Sequence, residues 1–374
     1  MAREASVKAG TRVDVPISAI DAEAFTIPTD APESDGTIEW DSTTIVVCHA
    51  RAGGAVGIGY TYSHAAAAAL VHDLLSSHVV GRDAMDVTGT STAMAQAVRN
   101  IGRDGLAATA IAAVDAALWD LKARLLDLSM VALLGAVREA IMVYGSGGFT
   151  SYTDDQLRRQ LSDWVAIGIP AVKMKIGRDA PADPARVRAA RAAIGPAAQL
   201  FVDANGGYDR KLALEQARRF EDDDVSWFEE PVSSDDLEGL RLIRDRAPVR
   251  MEIAAGEYGY DIQYFRRMVQ AGAVDVLQAD ATRCGGVTGF LRAATIADAW
   301  SLPLSAHTAP SLHAHLCCAA PRARHLEYFH DHVRVERMLF DGALAPIDGV
   351  LRPDRSRPGF GIELKRSDAE RFAV

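Results

Sequence analysis

Eight short apolar runs recur between residues 141 and 329, and nearly all of them end at or just before an ionisable side chain: IMVYGSG, AVKMKIG, QLFVDANG, VSWFEEPV, MEIAAGE, VDVLQAD, PLSAHTA and RHLEYF. Amphipathic stretches such as DDQLRRQLSDWVAIG, PARVRAARAAIG, RKLALEQARRFED and VTGFLRAATIADAW separate them. Each is long enough for a helix that carries the chain back to start the next strand in the same direction. Strands alternating with such crossovers require a parallel sheet. About eight units favour closure into a (β/α)8 barrel of the TIM type over an open, doubly wound sheet.

The ionisable strand ends are Lys173 and Lys175, Asp203, Glu229 and Glu230, Glu257, Asp280, His307 and Glu327. In a parallel barrel they share one rim, the rim where barrel enzymes keep their active sites. A single acid at such a position is most simply the N-cap of the following helix. Successive agreement from Lys173 to Glu327 strains that account.

Asp203, Glu229 and Glu257 come from three consecutive strands, and three converging carboxylates repel one another strongly in a partly dry cleft. A divalent cation resolves this. An all-oxygen donor set suits a hard ion, Mg2+ first and Mn2+ second. Glu230 follows Glu229 directly and in a strand points the other way, so it supports the site from behind, although the two glutamates are exchangeable on these grounds. Lys173 and Lys175, one residue apart, face the same side of their strand. Two facing cations depress each other's pKa, which makes a lysine usable as a base; the plainer alternative is a pair of salt bridges to the nearby carboxylates.

Before residue 140 the pattern differs: strands AFTIP, TTIVVCHA and AVGIGYTY precede helical segments, the last being DGLAATAIAAVDAALWDLKARLLDL, with Gly135 as a stop. The expected organisation is an α+β capping domain over 1–140, the barrel over 141–340, and a Gly/Pro-rich segment, 341–374, returning to the cap. A net charge of −10 with dispersed Arg and Lys argues against a nucleic-acid partner. Cys48, Cys284, Cys317 and Cys318 form no CxxC pair and read as reduced, buried thiols rather than a disulfide framework or zinc ribbon. MAREASVKAGTRVDVP lacks an apolar leader, and ATAIAAVDAALWDL is interrupted by Asp115 and Asp120. No membrane span is expected, and the cytoplasm is the expected compartment. GGVTGF matches neither GxGxxG nor a Walker pattern, so no nucleotide site is expected.

VKMKIG, DANGGYD, FEEP, GEYGYD, QADATRCGGVTGF and SAHTAPSLHAHL together resemble the enolase superfamily in its mandelate racemase/muconate lactonizing subgroup, and AIAAVDAALWDLKARLL and PGFGIEL extend the resemblance to the cap and the C-terminal return. Only about the first dozen residues fall outside it. The resemblance implies that Asp203, Glu229 and Glu257 ligate Mg2+, that Lys175 is a base on one substrate face, and that Lys173 tunes it and contacts the bound carboxylate. It also implies that His307, oriented by Asp280, works on the opposite face, that Glu327 hydrogen-bonds the substrate carboxylate, and that Asn205, two residues past Asp203 and on the same side of an extended chain, contacts substrate. Arg283 stands where several relatives carry Lys; it cannot act as a base near neutral pH and is read as structural or as a modulator. The assembly implied is a homo-oligomer, from dimer to octamer.

The chemistry implied is abstraction of a proton α to a carboxylate, with Mg2+ and hydrogen bonds stabilising the enediolate. The small-molecule partner is then a hydroxy-carboxylate, monoacid or diacid. Dehydration of a sugar acid (aldonate or aldarate) to a 2-keto-3-deoxy acid is favoured, by family frequency alone; racemisation or epimerisation of a 2-hydroxy acid is the alternative. A non-catalytic binding protein has no reason to keep such a charge constellation, and the absence of HxH at the first strand end argues against a metal-dependent hydrolase. The segment TDAPESDGTIEW is the expected lid, with Trp40 and Tyr60 as candidate substrate walls. His313 and His315 are expected to be packed; His330 and His332 are left open as residues at the mouth of the site.

Overall fold

The structure, a computed structural model, describes residues 14–374; the expected N-terminal extension falls almost wholly outside them. Alternating β-branched runs form an antiparallel meander of β1 (Ala19–Ser34), β2 (Glu39–Ala52) and β3 (Ala55–Tyr62). Gly53 and Gly54 supply the two positive φ angles of the tight turn between β2 and β3. Helices α1 (Ala66–Asp73), α2 (Val87–Ala97), α3 (Leu106–Leu125) and α4 (Met130–Leu134) follow. The Ala-rich α3 lies so close to β3 that a Cβ on Gly59 would sit 2.3 Å from the Ala117 amide nitrogen. Small residues on both sides therefore set this contact.

The eight expected strands are all present: β4 (Ile141–Gly147), β5 (Ala171–Lys175), β6 (Gln199–Asp203), β7 (Val225–Glu229), β8 (Glu252–Ala255), β9 (Val276–Ala279), β10 (Leu304–Ala306) and β11 (Ala323–Phe329). They alternate with α5 (Asp154–Ala166), α6 (Asp183–Ile194), α7 (Arg210–Glu221), α8 (Leu237–Arg244), α9 (Ile262–Gln270), α10 (Gly286–Ala299), α11 (Pro310–Ala319) and α12 (His330–Leu339). Each strand pairs in sequence with the next, and β11 pairs in parallel with β4 to close the ring. The last segment lays Val350–Leu351 antiparallel to the start of β4 and ends with the Val374 amide donating to the Ala24 carbonyl at 3.1 Å.

Tyr144, Ala171, Phe201, Trp227, Ala254 and Val276 fill the barrel interior as one buried layer. Two residues further along their strands the chain reaches Lys173, Asp203 and Glu229; His325, buried against the same rings, likewise precedes Glu327. The period of two that puts an aromatic floor inside thus puts charge above it.

Of the two acids that interrupt the apolar pattern of α3, Asp115 joins the cap to the barrel and Asp120 joins it to the C-terminal segment. Asp115 is buried and accepts from the Thr288 amide at 3.0 Å and its hydroxyl at 2.6 Å. Asp120 accepts from the amides of Ile58 and Phe360 at 2.9 and 2.7 Å. Burial, offset by the Thr288 hydrogen bonds, pushes the Asp115 carboxyl up to about 7. Because this folded pKa lies above the unfolded one, the contribution is fully present below about pH 4 and is lost as pH rises towards 7. Asp115→Asn, which has no proton to lose, is expected to gain on wild type by on the order of 1–3 kcal/mol between pH 5 and pH 7.5 in urea unfolding. A gap that stays constant with pH would reject a titrating Asp115.

All four cysteines are free and buried. Among the described residues no helix is long and apolar enough to cross a membrane.

Candidate active site

The helix caps lie elsewhere than the strand-end acids. Asp209, Asp236 and Asp261 cap α7, α8 and α9 through their side chains, while Asp203, Glu229 and Glu257 turn into the barrel mouth and are buried to within 3% exposure. One carboxylate oxygen from each lies within 4.8 Å of the others. The local backbone is strained to achieve this. Of the eight described non-glycine residues with positive φ, four (Asn205, Glu230, Thr308 and Ala309) lie one or two positions after a site residue on the rim, and such angles persist only where surrounding contacts enforce them. Two sequence expectations are thereby corrected. Asn205 is not in extended chain, and Glu230 is turned from Glu229 by a bend after β7 rather than by strand alternation.

Lys173 and Lys175 both point inward, as the strand period requires, and meet carboxylates. Lys173 Nζ lies 2.5 Å from Glu229 and 2.9 Å from Glu327; Lys175 Nζ lies 2.5 Å from Asp203. The expected depression by the facing lysine acts on Lys175 but does not prevail. Burial and Lys173 push Lys175 down, while Asp203, joined by Glu257 and Glu327, holds the ammonium above its usual range. Lys173 is raised in the same way, Glu229 and Glu327 overcoming burial.

The carboxylates divide into two sets. Burial works against ionisation of Glu257 and Glu327, yet His307 with Arg283 in the first case and Lys173 with His307 in the second bring each down to about 2. Glu229 and Glu230 are pushed well up, by burial first and then by Asp203 and Glu257 respectively. Oε2 of Glu257 and Oε1 of Glu230 are buried without a hydrogen-bond partner. Clustered hard oxygens, orphaned acceptors and carboxylates that resist ionisation are what a hard divalent cation would satisfy, so Asp203, Glu229 and Glu257 fit that role. Trp227 Nε1 donates to Glu229 Oε2 at 2.9 Å while Lys173 holds its Oε1, and Arg283 Nη1 donates to Glu257 Oε1 at 3.1 Å, which leaves Glu257 Oε2 for other use. Arg283 therefore braces a candidate ligand.

His307 lies near the opposite side of the ring, three strand steps from Lys175 through β4 and β11. Its Nδ1 is 2.8 Å from Asp280, and its Nε2 faces Glu257 at 3.4 Å and Glu327 at 3.6 Å. Asp280 is fixed by Thr282, whose amide and hydroxyl both donate to Oδ1 at 2.7 Å. Thr282 went unnoticed in the sequence, although an Asp-x-Thr run is a turn signal. Glu327 accepts from the Thr308 amide at 3.3 Å.

These groups border a cavity of about 210 Å3 under the cap, lined also by Asp35, Trp40, Thr43, Asn205, Tyr258 and His332. The expected lid is the β1–β2 hairpin end. It is seated on the rim, since a Cβ on Gly36 would lie 2.2 Å from the Ala204 carbonyl oxygen. Trp40 lines the cavity while its Nε1 donates to Glu33 at 2.8 Å. Tyr60 does not line it, which corrects its reading as a wall. It is fully buried against Phe340 and its hydroxyl bonds Glu336, because β3 faces the barrel's outer helices. Tyr60→Phe is expected to leave kcat and KM within about twofold while lowering stability by about 1–2 kcal/mol; a tenfold KM change would restore it to the substrate site. His313 and His315 are buried and bonded to backbone groups. His330 pairs with Asp30 at 3.0 Å, whereas His332 reaches the cavity.

Comparison with known proteins agrees with this architecture. The description "Mandelate racemase / muconate lactonizing enzyme, N-terminal domain" matches residues 25–135, and "Enolase C-terminal domain-like" matches residues 156–369. A solved mandelate racemase/muconate lactonizing enzyme-like protein from Rubrobacter xylanophilus is 52% identical with a TM-score of 0.94, over 96% of this chain and 100% of that one. The L-talarate/galactarate dehydratase of Salmonella typhimurium is 33% identical over 73% of this chain and 69% of its own length. Its structure liganded with Mg and L-lyxarohydroxamate aligns at 28% identity with a TM-score of 0.87, over 100% of this chain and 98% of that one. The 3,6-anhydro-alpha-L-galactonate cycloisomerase of Streptomyces coelicolor is 33% identical over 93% of this chain and 96% of its own. On the two domain matches, the chain belongs to the mandelate racemase/muconate lactonizing enzyme group of the enolase superfamily.

Proposed function

We propose that this protein is a Mg2+-dependent hydro-lyase that dehydrates a sugar acid to a 2-keto-3-deoxy acid through an enediolate. The observation that carries the reading is the placement of Lys175 and the Asp280-bonded His307 near opposite sides of one cavity, with Asp203, Glu229 and Glu257 clustered on the arc between them. The dehydratase and cycloisomerase relatives support it, and so does the magnesium of a solved neighbour.

When bound, a divalent cation supplies positive charge against which the carboxylate of the substrate can accept an electron pair. Lys175, which would become a neutral amine once a cation took up the charge of Asp203, takes the C2 proton from one face, and the freed electron pair enters the carboxylate. Lys173 and Glu327, 2.9 Å apart, sit beside that group; Lys173 offers charge and Glu327 offers a hydrogen-bonding oxygen. His307, its Nδ1–H held by Asp280, delivers the Nε2 proton to the C3 hydroxyl, which departs as water, and the enol left behind ketonises. Both proton carriers are buried to within 7% exposure, so exchange with bulk water is restricted while the site is filled.

The test is a screen of acid sugars with Mg2+, following 2-keto acid formation and α-proton exchange from 2H2O by NMR. Keto acid is the expected product. Inversion or exchange without it would assign a racemase or epimerase, ring opening of an anhydro-acid or lactone would assign a cycloisomerase, and no turnover of any kind in metal-loaded protein would reject the enzymatic reading.

A further inference from the structure

The cavity is charged unevenly along its length. Lys175, Arg283, His307 and His332 are the basic residues that line it among those described. Three of them are committed at the barrel end: Lys175 to Asp203 at 2.5 Å, Arg283 to Glu257 at 3.1 Å, and His307 to Asp280 at 2.8 Å. Arg283 also lies over the Tyr258 ring at 4.9 Å, which fixes the plane of its guanidinium.

The wall furnished by the cap carries no cation among the described residues. It consists of Asp35, Ile38, Trp40, Ser42 and Thr43 on the hairpin. Behind it stand two more acids, Glu33 on Trp40 Nε1 and the buried Asp331 on the Thr43 hydroxyl. Arg334, the basic partner of Asp331 at 2.6 Å, borders a different cavity and spends its other Nη2 contact on the Pro28 carbonyl. His332 is stacked on Tyr62 with ring centroids 3.4 Å apart, and its buried Nδ1 has no partner. Burial, aided by the charge of His307, keeps that imidazole neutral. A neutral ring nitrogen, two hydroxyls and an indole suit hydroxyl groups. A second carboxylate here would meet Asp35, with no uncommitted cation among the lining residues to pair it.

We infer that the far end of the bound acid is an uncharged polyol, so that the substrate is an aldonate, with one carboxylate, and not an aldarate, with two. This rests on the reading that the barrel end of the site takes an α-hydroxy carboxylate. It narrows that reading, and it sets the selectivity in hairpin residues that take no part in proton transfer.

The experiment uses pairs of sugar acids matched in chain length and configuration that differ only in whether the terminal carbon is an alcohol or a carboxylate. Affinity is measured calorimetrically on full-length, Mg2+-loaded Lys175→Ala protein, which binds without turnover, and keto acid formation is followed on wild type. The aldonate of the best-bound pair is expected to bind at least tenfold more tightly than its aldarate. Ser42→Lys, which adds a cation to the cap wall, is expected to narrow that ratio tenfold or more. An aldarate that binds as well as or better than its aldonate overturns the inference, and so does a ratio unmoved by Ser42→Lys. In either case keto acid formation still judges the dehydratase reading separately. Preferential aldonate binding without keto acid would uphold the inference on binding and reject dehydration, while failure of every pair to bind would reject both.

Discussion

His307→Asn is expected to lower dehydration by about a thousandfold or more while α-proton exchange at the Lys175 face stays within about tenfold of wild type, since a positioned general acid is worth 10²–10⁴. The division follows from where the two groups stand. Lys175 lies on β5 beside Asp203, and His307 follows β10 with its orienting partner Asp280 after β9. Asn keeps the polar contact towards Asp280 but has no proton to give a departing hydroxyl. Exchange requires only that one base remove and return the α-proton; elimination requires the second group as well. Kinetics of keto acid release beside NMR exchange in 2H2O separate the two. Loss of both in folded, metal-loaded protein would show that His307 itself takes the α-proton, and retention of dehydration would remove it from the reaction.

Glu257→Gln is expected to abolish keto acid formation, by at least a thousandfold, and with it the stabilisation that Mg2+ gives. In wild type a cation at a hundred times its Kd adds about 2.7 kcal/mol to unfolding, read as a rise in Tm that the variant lacks. Glu257 is the sensitive position because one of its oxygens is held by Arg283 while Oε2 is buried with no hydrogen-bond partner. An amide of the same shape keeps the brace and loses the charge. Asp203→Asn serves as a second reading of the same cluster, and the apo forms of both variants should remain folded because Arg283 keeps Asp280 and Tyr258 and an Asn oxygen can still accept from Lys175. A Mg2+-dependent rise in Tm that survives in both variants would place the cation elsewhere.

Much of this architecture is legible in the chain. Eight apolar runs joined by crossover-length helices leave few options besides a closed parallel barrel, and the strand period of two then dictates that Lys173, Lys175, Asp203, Glu229 and Glu327 share an inward face above an aromatic floor. Two of the misread positions share one cause, which is that local rules were extended past the ends of the elements that obey them. Glu230 and Asn205 lie just beyond β7 and β6 at φ angles of 38° and 45°, where alternation no longer applies. Tyr60 sits on a strand whose partner surface cannot be known before the cap is docked.

Electrostatics marks the sharper boundary. Sequence spacing determined that two lysines and several acids would meet on one rim, because covalent geometry and strand periodicity do not depend on what lies across the barrel. Only the tertiary structure decided how they pair: that Asp203 outweighs Lys173 in its effect on Lys175, that Arg283 braces Glu257, and that the cap brings hydroxyls and acids without a cation to the far wall. The physical reason is that Coulomb energies in a dry cleft depend on separations of a few ångströms between residues remote in the chain, here 28 positions apart for Lys175 and Asp203 and 288 for Thr43 and Asp331. Those separations come into being only when the barrel closes and the cap docks on it.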